Sequence, residues 1–147
     1  MTMGKTHRRE KSSCPISYSL DLFGDKWTLL VLRDLILWEK SRFAEFQASD
    51  EEIASNILSD RLRRLECQGL IRTEKDPADA RQKIYSPTDK GLSLTPLLLE
   101  IAAWGASQDP NTGAPQGFAA DFYADREGYY AEHRRRIAEL FERQNTS

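Results

Sequence analysis

The sequence predicts a mainly α-helical fold with one small β-ribbon, and three observations carry that prediction. Apolar residues recur at helical spacing through most segments that lie between glycine, proline and acidic breakers. One of those helices is polar along its whole outer face. Two short strands joined by a charged, turn-rich tip follow it directly. With 147 residues the chain suits one domain and needs neither disulfide nor metal to bury a core.

The first helix opens at Pro15, whose missing N–H costs nothing at a first helical position, so Cys14 is its N-cap. Ile16, Leu20 and Phe23 form its apolar stripe, and Gly24 ends it. Asp25 caps a second helix from Lys26 to about Trp38. Its stripe of Trp27, Leu30, Val31 and Leu35 has apolar flanks, which predicts a central, well-buried helix. A short helix at Phe43–Gln47 points Phe43 and Phe46 inward.

After the acidic turn Asp50-Glu51-Glu52 comes ASNILSDRLRRLECQGLI. At 100° per residue, Ala54, Leu58, Arg61, Leu62 and Leu65 share one side, while Asn56, Ser59, Asp60, Arg63 and Cys67 share the other. Gly69 is the stop. Leu70–Lys75 reads as a strand, Asp76–Arg81 as the tip, and Gln82–Ser86 as the returning strand. Thr88 caps the next helix, with Leu94, Leu97, Leu98, Ile101 and Trp104 in register and Pro96 forcing a kink or a restart. Residues 107–117, rich in proline and glycine, form a linker, and a last helix covers about Ala119–Arg143 with Gly128 weakening its middle. This divides the chain into a flexible basic arm (1–13), a helical domain with its ribbon (14–106), the linker (107–117) and a C-terminal helix (118–147).

Charge and chemistry narrow the function. The net charge of −2 is a sum of unlike segments: residues 1–15 hold four basic side chains against one acidic, and residues 53–91 hold eight against six. Residues 16–52 and 92–147 are acidic. A near-neutral chain binds a polyanion when its positive segments share a face. Only His7 and His133 are present, with no glycine-rich phosphate loop, no Cys-x-x-Cys and no His-x-x-x-His. No cofactor, no metal and no enzymatic activity are therefore expected. Cys14 and Cys67 cannot make a disulfide framework. No apolar run approaches the roughly 18 residues of a membrane span and no signal peptide precedes the first helix, so a soluble, cytoplasmic protein is expected.

The order helix, helix, short helix, polar-faced helix, ribbon, long helix is that of a winged helix-turn-helix. Five strings occur in the order found in the HxlR branch of the MarR-like bacterial transcription regulators, which the chain resembles. They are Cys14-Pro15, GDKWTLLVLRDL (24–35), RFAEF (42–46), ILSDRLRRLE (57–66) with Gly69-Leu70-Ile71, and YSPTDKG (85–91). The resemblance runs from about Cys14 to Gly105. It implies a homodimer on double-stranded DNA, with the polar-faced helix in the major groove and the ribbon as a wing on the minor groove or backbone.

The residues themselves agree on one point, because an outer face of Asn, Ser, Asp and Arg carries the donors and acceptors that bases and phosphates need. Asn56 suits adenine, Arg63 guanine or a phosphate, Ser55 and Ser59 phosphate oxygens, and Asp60 a cytosine amino group. Arg81 and Lys83 are the wing candidates. Asp50, Glu51 and Glu52 favour the helix dipole but compete with phosphate for the same N–H groups. The expected dimer interface comprises Leu94, Leu97, Leu98, Ile101, Trp104, Tyr130, Ile137 and Phe141, together with the N-terminal helix. The alternative reading is a winged-helix module that binds only protein. The resemblance also implies thiol sensing at Cys14, where an oxidant or a small electrophile would react. A helix N-cap beside Lys11 favours the reactive thiolate, whereas Cys67 lies near its helix's C-terminus without that advantage.

Overall fold

The computed structural model describes residues 12–145, so most of the basic arm, Lys11 included, lies outside the described residues. Helix α1 spans Pro15–Phe23, α2 Lys26–Ile36, α3 Phe43–Gln47 and α4 Ser55–Cys67. Strands β1 (Ile71–Lys75) and β2 (Lys83–Pro87) follow, then α5 (Asp89–Leu92), α6 (Thr95–Gln108), α7 (Phe118–Ala124) and α8 (Arg126–Asn145). This mostly helical fold with one two-stranded antiparallel sheet is the expected class.

The core forms around α2, which buries Val31, Leu32, Leu35 and Ile36. Against them pack Phe46 of α3, Leu58, Leu62 and Leu65 of α4, Leu70 and Ile71 at the start of the ribbon, and Leu98 of α6. Each such side chain contributes about 1.5–3 kcal/mol by leaving water. Asp25 caps α2 as expected, accepting from the Thr28 backbone N–H at 3.0 Å. Gly69 follows α4 at φ +73°, a left-handed conformation that side chains disfavour, and so turns the chain from α4 into β1. The ribbon pairs Ile71 with Pro87 through Lys75 with Lys83, one residue later at both strand starts than the alternation suggests. The Tyr85 N–H donates to the Ser41 carbonyl at 2.8 Å, anchoring the ribbon to the segment before α3.

The α1 stripe is divided: Phe23 is buried, whereas Ile16 and Leu20 are exposed. Several expectations are corrected. Ala54 is exposed as the N-cap of α4, and Ile53 takes the buried place instead. Thr88 caps only the four-residue α5, accepting from the Gly91 N–H at 3.1 Å, and Pro96 sits in the first turn of a restarted α6. The restart follows because proline fits where no N–H is required.

The apolar stripe of α6 is divided. Leu98 is buried and Leu94 is half-buried, both in the core of the single chain, whereas Leu97, Ile101 and Trp104 are exposed. Leu98 and Leu94 are thus core residues before any partner arrives. Helix α6 also runs to Gln108, so the connecting segment begins at Asp109.

The single C-terminal helix is in fact two. The chain breaks at Asp125 (φ −147°, ψ 69°), whose carboxylate accepts from the Gly128 N–H at 2.9 Å and starts α8. Gly128 therefore lies in a first turn, and a Cβ there would fall 2.1 Å from that carboxylate. Phe122 of α7 packs with Leu99 and Ala103 of α6 in a second apolar cluster, which the half-buried Tyr130 joins. Ile137 is buried as well, so Tyr130 and Ile137 also serve the single chain, and the Phe141 side chain lies outside what is described. Helix α8 is held to the C-terminal end of α2, where the His133 Nε2–H donates to the Ile36 carbonyl at 2.5 Å. Arg136 pairs with Glu39 at 3.1 Å beside it.

Candidate nucleic-acid interface

Helix α4 presents two unlike faces because its apolar residues repeat at three and four positions. Leu58, Leu62 and Leu65 bury the inner face, while Ser55, Asn56, Ser59 and Arg63 stand exposed on the outer one. Arg63 keeps 70% of its side chain exposed. Of the outer face read from the sequence, Asn56, Ser59, Arg63 and Cys67 are exposed and Asp60 is half-buried.

Asp60 occupies the middle of that surface in a different state from a free acceptor. Its carboxylate meets Arg61 at 2.6 Å, Arg63 at 3.0 Å and Arg64 at 3.0 Å. Partial desolvation pushes its carboxyl up, but the three guanidinium groups outweigh that and hold it below the ordinary range. Asp60 thus fixes the fork of arginines that the helix presents. Arg64, 58% exposed, belongs to this surface although the sequence reading left it out. Its position four residues beyond Asp60, one helical turn away, was the available signal.

Arg61, expected on the inner side, is half-buried because its guanidinium bridges two helices. Its Nε donates to the Asp25 carboxylate at 3.0 Å. Burial pushes the Asp25 carboxyl up, yet the Thr28 hydroxyl, the Thr28 N–H and Arg61 together lower it to about 2. One carboxylate therefore caps α2 and ties α4 to it. The turn before α4 is fixed likewise. Arg33 donates to both Glu51 carboxylate oxygens, at 2.9 and 2.7 Å, and to Asp34 at 2.7 Å. Buried Asp34 accepts from the Ser49 hydroxyl at 2.5 Å, and Ser49 accepts from Lys40 at 2.7 Å. Glu51 is consequently neutralised by Arg33, which removes one of the three carboxylates expected to compete with phosphate.

Arg81 and Lys83 stand apart from α4, on the ribbon. Arg81 is 91% exposed and pairs with Asp79 at 3.0 Å, so its cation is half-compensated locally. Lys83 lies directly across from Lys75, and both are exposed. Like charges opposite one another destabilise a strand pair, an arrangement that suits a surface meeting an anion. Lys75 was missed because only the strand register reveals the pairing. Arg42 holds the tip by ion-pairing with Asp76 at 2.5 Å.

No group of three or more histidine, cysteine or acidic side chains among the described residues could hold a metal, and no helix there is long and apolar enough to cross a membrane. Cys14 and Cys67 are both exposed and free. The Cys14 side chain makes no cap hydrogen bond to α1.

A core-anchored helix with a polar outer face, followed by a basic ribbon, defines a winged helix-turn-helix, DNA-binding transcriptional regulator. The comparisons with known proteins give the family. Residues 22–112 match the HxlR-like helix-turn-helix family, and the chain belongs to it. An uncharacterized HTH-type transcriptional regulator of Halalkalibacterium halodurans is 33% identical over 97 residues, covering 66% of this chain and 86% of that protein. The redox regulator HypR in its oxidized form is 32% identical and superposes with a TM-score of 0.57, covering 64% of this chain and 96% of that one. The transcription-factor candidate PA1607 is 36% identical with a TM-score of 0.63, covering 71% and 73%. The curated relatives matched here are named as HTH-type transcriptional regulators.

Proposed function

We propose that the chain acts as a homodimer that reads the two half-sites of a pseudo-palindromic operator. Helix α4 lies in each major groove, with Asn56 and Arg63 on base edges and Ser55, Ser59 and Arg64 on phosphates. Asp60 orients the arginines instead of touching a base. Lys75, Arg81 and Lys83 of the ribbon meet the flanking backbone. The observation that carries this reading is the exposed polar row of α4 on a helix whose other face is fully buried.

Dimerisation rests on the apolar side chains left open. Leu97, Ile101 and Trp104 form an exposed row on α6, and Ile16, Tyr18 and Leu20 are exposed on α1. A two-fold axis through such surfaces would space two α4 helices by about 34 Å or a multiple of it. Light scattering tests this at micromolar concentration: about twice the 16.8 kDa chain mass is expected, and a single-chain mass contradicts it.

A second element of the proposal is redox response through Cys14, supported by the likeness to HypR and by the thiol's exposure at the start of α1. Two Cys14 thiols of a dimer would give up two electrons and two protons to an oxidant such as diamide and form one disulfide. The expected result is a DNA affinity that changes on diamide treatment in the wild type and in Cys67→Ser, but not in Cys14→Ser. A response that persists in Cys14→Ser contradicts the assignment.

A further inference from the structure

We infer that Thr88, Lys90 and Gly91 form a clamp on the end of α4 that fixes its angle to α6, and so sets the half-site spacing that the protein accepts. The inference rests on the reading of the chain as a dimer on two half-sites. Thr88 and Lys90 are then positioning residues for operator recognition and touch no DNA themselves.

The last carbonyls of a helix have no partner within it, and water can satisfy them. At the end of α4 three successive carbonyls are instead taken by one short segment. The Lys90 ammonium donates to the Gln68 carbonyl at 2.8 Å, and the Thr88 hydroxyl to the Gly69 carbonyl at 2.5 Å. The Thr88 N–H donates to the Leu70 carbonyl at 3.1 Å. The Lys90 cation also meets the negative end of the α4 dipole. Behind these bonds Gly91 is buried so closely that a Cβ there would fall 2.1 Å from the Leu70 carbonyl oxygen. Three directed bonds to consecutive carbonyls fix a direction as well as a distance.

The clamp continues into α6 through hydrogen bonds. The Thr88 hydroxyl accepts from the Gly91 N–H at 3.1 Å, which starts α5. The restart before α6 is bridged by the Leu94 N–H on the Gly91 carbonyl at 3.0 Å and by the Thr95 hydroxyl on the Leu92 carbonyl at 2.8 Å. Leu98 also holds α6 to the core, but apolar packing is non-directional. Nearer its middle α4 is tied to α2 by Arg61 and Asp25 at 3.0 Å. The angle between the polar row of α4 and the apolar row of α6 is therefore set through residues 88–91. One added base pair turns a half-site by about 35°, which a rigid link cannot follow.

The test compares the affinity of the full chain for a selected operator and for the same operator with one base pair inserted between its half-sites. The wild type should lose at least tenfold on insertion. Thr88→Val combined with Lys90→Met should lose less than threefold, with base preference inside each half-site and the log–log salt slope unchanged. Thr88→Ser with Lys90→Arg keeps both donors and should restore the tenfold loss. Lys90→Met alone, at an exposed position, should narrow the gap at least twofold and carries the test if the first variant does not fold. A clamp variant that keeps the wild-type gap overturns the inference, and so does a conservative variant that fails to restore it. Base preference lost together with the gap would mark general loosening and overturn it as well. A salt slope lower by about one unit would place Lys90 on a phosphate and end its positioning role. A wild type indifferent to the insertion would count against the two-half-site reading instead.

Discussion

Helices α4 and α6 have nearly the same length, 13 and 14 residues, and both bury side chains in the α2 core, α4 through three leucines and α6 through Leu98. What they show to solvent is opposite. Helix α4 exposes Ser55, Asn56, Ser59 and Arg63, while α6 exposes Leu97, Ile101 and Trp104. The polar row matches a ligand made of charges and hydrogen-bonding edges. An apolar row in water matches a second protein surface. On the proposed reading, one scaffold separates contact with DNA from pairing of subunits by helix face, and each of the following changes strains or sharpens that division.

The largest effect should come from the α6 row. Ile101→Asp combined with Trp104→Ala should convert the dimer to a single chain and weaken operator binding by at least 100-fold, because only one half-site is then held. Light scattering and operator titration check both parts. A dimeric double variant would move the interface elsewhere.

Next come the bases. Arg63→Ala and Asn56→Ala should each cost about 1–3 kcal/mol on the preferred operator and relax preference at one or two base pairs. Thermal stability should barely move, since both side chains are exposed. Asp25→Ala separates the two roles from the other direction. It removes the α2 cap and the tie to Arg61, at a cost of about 0.5–2 kcal/mol in stability near neutral pH. The Asp25 carboxyl is lowered to about 2 in the folded chain, against about 3.9 unfolded. Its charge therefore stabilises the fold above about pH 4, and that contribution is lost as pH falls toward 2. The wild-type and Asp25→Ala unfolding curves should converge across that window. The smallest effect is at the ribbon, where Arg81→Ala should lower the log–log salt slope by about one unit and weaken all duplexes alike.

The same two helices explain how much of the molecule its sequence discloses. In α4 the inner leucines and outer polar residues differ in kind, so periodicity separates Leu58, Leu62 and Leu65 from Asn56, Ser59 and Arg63, and fails only at the edges, at Ala54 and Arg64. In α6 both faces are apolar, and periodicity cannot tell Leu98, which packs on α2, from Leu97, which does not. The distinction needs the neighbouring helices. Likewise, Asp125 and Gly128 lie within a stretch of continuous helical pattern, and only the closeness of the carboxylate to the Gly128 N–H marks the break. The arginine fork on Asp60 was hidden for a related reason. Spacing puts Arg63 and Arg64 three and four residues beyond it, but whether the carboxylate serves DNA or the arginines is decided by side-chain geometry.

The most direct test measures the affinity of the wild type and of an Asn56→Ala, Arg63→Ala double variant for a selected operator and a scrambled duplex between 50 and 200 mM salt. The wild type should prefer the operator, with both affinities falling linearly on a log–log plot. The double variant should bind the two duplexes nearly equally and remain dimeric. An operator preference that survives in the double variant would show that α4 does not read the sequence.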